Sequence, residues 1–248
     1  MRWAVVIGGV LGLTVIGALV LVLLAPIPAI VPVSTPQPPA ATWAPPADQP
    51  EPALDAGAGI QTLVDADWAE QAAAATGIPL RALVAYAGAA MFKAEQMPEC
   101  GLSWSTLAGV GKIESDHGRH DGSALDEGGT AVPGIFGIAL DGVTTADIPD
   151  SDDGAIDGDS DHDRAVGPMQ LIPQTWKNWH VDGGGDGVED PQNIDDAATA
   201  AANYLCRSST GMETEDGWRA AISAYNSSDT YLSNVAAAAA FYNEATSG

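Results

Sequence analysis

From residue 60 onward, apolar residues recur mainly at the three-to-four spacing of helices, and over the window 116–166 that periodicity fails. That pattern confines the chain to a mainly α fold with one long insertion. Residues 63–75 are Ala-rich. Pro79 suits the first turn of a helix through Leu80, Leu83, Val84, Tyr86 and Met91. Leu102, Trp104, Leu107, Val110 and Ile113 mark a second, with Ser103 as N-cap and Gly118 as stop signal. Pro173 opens a short helix through Trp176 and Trp179, and another spans 194–207. Asp216 is a predicted cap for 218–225, and a last Ala-rich helix covers 230–244. No strand series is long enough for a sheet-based fold, and no internal repeat occurs. In the window itself Gly and Asp dominate around one apolar run, 132–138, which predicts a small hairpin. A loop this long in a compact domain is usually functional or metal-organised.

Residues 4–25 form an uncharged apolar run preceded by Met1, Arg2 and Trp3. Roughly 20 apolar residues suffice to span a bilayer core. The run is longer than the usual h-region of about 7–15 residues, and Pro26-Ile27-Pro28 follows in place of an Ala-x-Ala site. Residues 1–25 are therefore expected to be an uncleaved transmembrane signal-anchor; the alternative is a cleaved signal peptide and a secreted product. Arg2 is the sole basic residue before Arg81, so the positive-inside rule places the rest of the chain outside the cytoplasm, in the cell envelope. Residues 26–57 read as a Pro-rich stalk and 58–248 as one domain.

The formal net charge is -24, which repels phosphate backbones and argues against a nucleic-acid partner. Cys100 and Cys206 are the two cysteines. In an exported domain they are expected to form a disulfide, since a zinc half-site needs more ligands at close spacing.

The stretch Gly111-Lys112-Ile113-Glu114-Ser115-Asp116-His117-Gly118 places one carboxylate where an apolar helix runs out into a Gly- and Asp-rich loop. Apolar shelter disfavours the charged form and raises a carboxyl pKa, which is what a general acid needs to cleave a glycosidic bond. Asp116, Asp121, Asp126, Glu127 and Asp163 are expected in polar, solvated loops. His117, His120, His162 and His180 lack helical metal-ligand spacing and are expected to be solvated as well.

Glu114-Ser115, Gly167-Pro168-Met169-Gln170, Asp182-Gly183-Gly184-Gly185-Asp186-Gly187 and Ala224-Tyr225-Asn226 occur in that order. Together they resemble the lytic murein transglycosylases of the lysozyme-like superfamily, most closely the B-type branch (SLT domain) as found in actinobacterial cell envelopes. The resemblance covers roughly residues 78–244. It implies a lysozyme-like helical domain that cleaves the MurNAc–GlcNAc β-1,4 bond of peptidoglycan glycan strands and leaves a 1,6-anhydroMurNAc end. It implies Glu114 as the single catalytic acid and base, with Ser115, Met169, Gln170, Tyr225 and Asn226 in substrate binding. No cofactor is needed for that chemistry. The alternatives are a hydrolytic muramidase with a loop Asp as base, and a non-catalytic, calcium-dependent cell-wall-binding protein.

Two acidic segments are candidates for structural calcium. Asp182, Asp186 and Asp190 follow the start of an EF-hand loop, with Gly187 at its sharp turn. The loop lacks a side-chain oxygen at its third position, Gly184, and a Glu at its twelfth. The second segment holds Asp150, Asp152, Asp153, Asp157, Asp159, Asp161 and Asp163, whose mutual repulsion calls for a cation or for solvent.

Overall fold

The computed structural model describes residues 43–247 apart from Thr210. The expected anchor, 1–25, and most of the expected stalk lie outside the described residues. Seven α-helices make up the described domain: α1 Ala66–Thr76, α2 Leu80–Gln96, α3 Trp104–Ser115, α4 Pro173–Trp179, α5 Ile194–Ser208, α6 Glu215–Tyr225 and α7 Asp229–Thr246. The described strands, β1 Ala124–Leu125 and β2 Ala131–Val132, pair antiparallel within the insertion. Among the described residues no single helix is long and apolar enough to cross a membrane. Helices α1 and α2 pass such a test only as a pair bent by 117°.

Helix α2 is central. Ala82, Leu83, Ala85, Tyr86, Ala87, Ala89 and Ala90 are all fully buried, so small side chains let α1, α3 and α5 close around it. Helix α3 packs between α2 and α7 and is just as enclosed, with Trp104, Leu107, Ala108 and Val110 in the core. Gly111 makes the approach of α3 to α2 possible: a Cβ there would lie 2.1 Å from the Tyr86 hydroxyl. Truncating Leu107 to Ala in such a core costs about 2–5 kcal/mol.

Local capping fixes where these helices start and stop. Ser103 caps α3 as predicted, accepting the Ser105 N–H at 3.3 Å. The stop comes two residues before Gly118, at Asp116 in the left-handed region (φ 51°). Asp tolerates that conformation better than most side chains, and here Lys112 and Arg119 hold its carboxylate. The cap of α6 is Thr214, which accepts the Gly217 N–H at 3.2 Å; Asp216, the predicted cap, falls inside the first turn, where its charge suits the helix dipole.

Cys100 and Cys206 form the expected disulfide, joining the turn before α3 to the end of α5 across 106 residues of chain. In the chain-entropy picture, closing a loop of that length contributes on the order of 4–5 kcal/mol.

Three further findings depart from the sequence reading. Residues 43–57, grouped with the stalk by composition, pack on the helices: Ala44 is 1 % exposed, and the Trp104 indole donates to the Asp48 carbonyl at 3.2 Å. The insertion is ordered by its own acids. Asp150 accepts the N–H groups of Asp152, Asp153 and Gly154, and Asp157 accepts those of Asp159 and Arg164. His117, expected in solvent, is 2 % exposed, with Nε2 2.9 Å from the Tyr242 hydroxyl and Nδ1 3.3 Å from that of Tyr86. A neutral ring donates through one nitrogen and accepts through the other, which suits two phenols.

Burial pushes the His117 pKa down from 6.5 to about 3. The folded state then refuses a proton that the unfolded chain accepts, so this residue's contribution to stability is complete above pH 6.5 and is lost progressively as pH falls toward 3. In His117→Gln the acid loss should be shallower than in the parent by up to about 1.4 kcal/mol per pH unit. Denaturant unfolding of both proteins across that range checks this; parallel curves would refute it.

Candidate active site

Glu114 is the next-to-last residue of α3, half-buried at the end of a largely buried helix. Its Oε1 accepts a 2.5 Å hydrogen bond from the Tyr231 hydroxyl, in the first turn of α7. Desolvation raises the Glu114 pKa from 4.5 to about 7, against the opposing pull of the Tyr231 bond. Lys112 and Arg119 do not neutralise it, because both are paired with Asp116. Burial pushes the Asp116 carboxyl up, but the hydrogen bonds from Lys112 and Arg119 outweigh this and hold it below the usual range. The Tyr231 phenol is driven far above its ordinary value, by burial first and then by Glu114, so it stays an O–H donor.

Tyr225 closes α6 and stacks flat on Tyr231, rings 6.4 Å apart and 6° from parallel. Its hydroxyl donates to the Met169 carbonyl at 2.7 Å, and Tyr204 meets its ring edge-on at 5.7 Å. Tyr225 also lines a cleft of about 600 Å³ together with Leu140, Ile148, Gln170, Tyr204 and Asn226. Glu114 is not part of that lining; it adjoins it through Tyr231, which bonds to Glu114 and stacks on the cleft residue Tyr225.

The remaining motif residues divide between cleft and scaffold. Gln170 takes a left-handed backbone (φ 47°), and its Nε2 donates to the Gly167 carbonyl at 3.0 Å. Asn226 is exposed at the cleft and accepts the Ser228 N–H at 3.0 Å, shaping the turn into α7. Two residues expected to bind substrate do not reach it through their side chains. Met169 is fully buried and packs in the core. Ser115, 2 % exposed, donates to the Pro168 carbonyl at 2.6 Å and accepts the Gly118 N–H at 2.8 Å. The first of these bonds ties the end of α3 to the turn carrying Gln170, and the second closes the helix end on itself.

The acids expected in solvent also divide. Asp163 is fully buried and accepts the backbone N–H and hydroxyl of Ser151 at 2.8 and 2.9 Å. In the Gly-rich loop, Asp182 accepts the N–H groups of Gly185, Asp186 and Gly187, Asp186 accepts that of Val188, and Asp190 that of Gln192. These three carboxylates shape turns and do not gather into a ligand group; among the described residues the acids that do are Asp150, Asp152 and Asp163. Asp182, Asp186 and Asp190, the residues of the expected calcium loop, are not among that group. Asp196 serves that loop instead, accepting from Gly183, Gly184 and Asp190, and burial raises its pKa to about 6.

Against known proteins, residues 157–240 match the family model of the transglycosylase SLT domain. No curated protein matches the chain, and no solved structure does. The match supports a lytic transglycosylase, lysozyme-like relationship for that segment. It includes Gln170, Tyr225, Asn226 and Tyr231 and leaves Glu114 outside. The Tyr231–Glu114 hydrogen bond and the Ser115–Pro168 hydrogen bond join the two parts. Tyr231 was not legible in the sequence; its only local signal was a place in the first turn of an Ala-rich helix.

A raised carboxyl pKa means that Glu114 favours folding in its protonated form. Its contribution is complete below pH 4.5 and declines as pH rises through about 7. Glu114→Gln removes that decline, so the variant should gain stability on the parent between those limits, by on the order of 3 kcal/mol above pH 7. Urea unfolding at several pH values measures the difference; a constant offset would mean a solvated carboxyl.

Proposed function

We propose that the chain is a peptidoglycan lytic transglycosylase in which Glu114 acts first as general acid and then as general base. The observation that carries this reading is the desolvated Glu114 carboxyl, held by a tyrosine of the segment that matches the SLT domain. With Oε1 fixed by Tyr231, the proton resides on Oε2. Glu114 gives that proton to the bridging oxygen as the bond from C1 of N-acetylmuramic acid to O4 of N-acetylglucosamine breaks. The C6 hydroxyl of the same muramic acid then attacks C1, closes the 1,6-anhydro ring and returns its proton to Glu114. Atoms and protons balance without water. A pKa near 7 suits a group that must both donate and accept at neutral pH.

The cleft residues Gln170, Tyr225 and Asn226 would hold the glycan. The stacked tyrosines present aromatic surface of the kind that packs on sugar rings. A glycosidase of the usual type needs a second carboxylate at roughly 5–9.5 Å from the acid. The two strongest loop candidates are otherwise engaged: Asp116 in ion pairs, and Asp163 with Ser151. The disulfide, and the signal-anchor or signal peptide expected at residues 1–25, would fit placement in the cell envelope.

Digestion of purified peptidoglycan followed by mass spectrometry tests the reaction. Anhydro-ended muropeptides, one water lighter than hydrolysed ones, are expected. Saturated reducing ends would indicate a muramidase, and an absence of products a binding protein. Glu114→Gln should lower turnover by at least about 100- to 10,000-fold, the usual contribution of general acid–base catalysis. Tyr231→Phe removes the bond that lowers the Glu114 pKa, so the pH–rate profile should move to higher pH. An unmoved profile would mean that Glu114 is not the titrating acid.

A further inference from the structure

The insertion between β2 and α4 carries nine Asp and no Lys or Arg from Asp141 to Asp163. Most of these carboxylates cap turns of their own loop. Three converge. Asp150, Asp152 and Asp163 each offer an oxygen, and those oxygens lie within 4.8 Å of one another. Asp163 is fully buried. Independently, Asp152 Oδ1 is buried and has no hydrogen-bond partner, while Oδ2 accepts the Ile156 N–H at 3.0 Å. A buried carboxylate oxygen without a donor is costly unless a proton or a cation meets it. The basic side chains that bond to this loop do so at other groups: Lys177 at the Ser151 carbonyl, Arg164 at Asp159 and His162 at Asp147.

We propose that Asp150, Asp152 and Asp163 bind one calcium ion, and that this ion fixes the outer wall of the cleft. Calcium takes oxygen ligands at about 2.3–2.6 Å, so two ligands on opposite sides of it lie roughly 4.6–5.2 Å apart. Magnesium, at about 2.0–2.1 Å, spans less and demands stricter geometry. The connection to the cleft runs through the backbone of Asp163. Its N–H donates to the Ile148 carbonyl at 3.1 Å, and its carbonyl accepts the Leu140 N–H at 3.1 Å. Leu140 and Ile148 both line the cleft.

Calcium alone, added to the EDTA-treated full chain, is the probe, and the readouts are melting temperature and calorimetric binding. Substrate is absent, so the result stands apart from the transglycosylase reading. A rise in melting temperature is expected at roughly 10⁻⁴–10⁻³ M calcium, the regime of extracellular modules. Asp152→Asn, which keeps an acceptor for Ile156, should weaken calcium binding by at least about tenfold. Asp163→Asn should do the same; if it fails to fold, Asp152→Asn decides. Asp186→Ala should leave binding intact. No calcium-dependent rise, or a rise unchanged in Asp152→Asn, overturns the proposal. So does a rise lost in Asp186→Ala alone, which would place the ion in the Gly-rich loop, or one in which pH replaces calcium as the controlling variable, which would mean a shared proton.

Discussion

Helix α3 ends its chain of buried side chains on a carboxyl group, and the rest of the domain is arranged around that placement. A buried carboxylate is unfavourable unless something receives it. Tyr231 does so from α7, across the same interface where Val235 packs over Gly109. The acid, the phenol and the stacked Tyr225 are therefore held by core packing. Side chains anchored in this way keep their orientation better than residues on a loop. The packing also explains the small residues along α2 and α3: bulkier ones would push α3, and Glu114 with it, away from its partners.

What the sequence carried was periodic and local. The helical spacing of Leu102 through Ile113 placed Glu114 at a helix end, and Ser103 marked its start. The cysteine pair was readable because exported domains leave few other uses for an isolated pair. What it did not carry was fold-back. His117 sits in a run of polar residues, yet Tyr86 and Tyr242 come from 31 positions before and 125 after to enclose it. Asp163 looks like its acidic neighbours, but the fold buries it and Ser151 bonds to its carboxylate. Met169 belongs to a recognisable motif, and its backbone serves Tyr225 while its side chain fills the core.

Acidic composition proved ambiguous for a physical reason. A carboxylate near a turn can accept backbone N–H groups, pair with a cation or face water, and the choice depends on which N–H groups the backbone leaves unpaired. The loop around Asp182 uses its acids chiefly as turn caps. The insertion does the same with Asp150 and Asp157 but also brings three carboxylates together, one of them with an oxygen that no donor reaches.

The Cys100–Cys206 link closes a covalent ring that contains Glu114, the acidic insertion, Gln170 and the Gly-rich loop. Tyr225, Asn226 and Tyr231 belong to the tail that leaves the ring. A single backbone cut anywhere inside the ring, including in the exposed insertion, yields a nicked molecule whose pieces remain joined. A cut in the short connection between α5 and α6 would instead separate the phenol from the acid it holds, with only non-covalent packing to keep them in register. The topology thus makes the longest surface loop the safest place for the chain to be clipped.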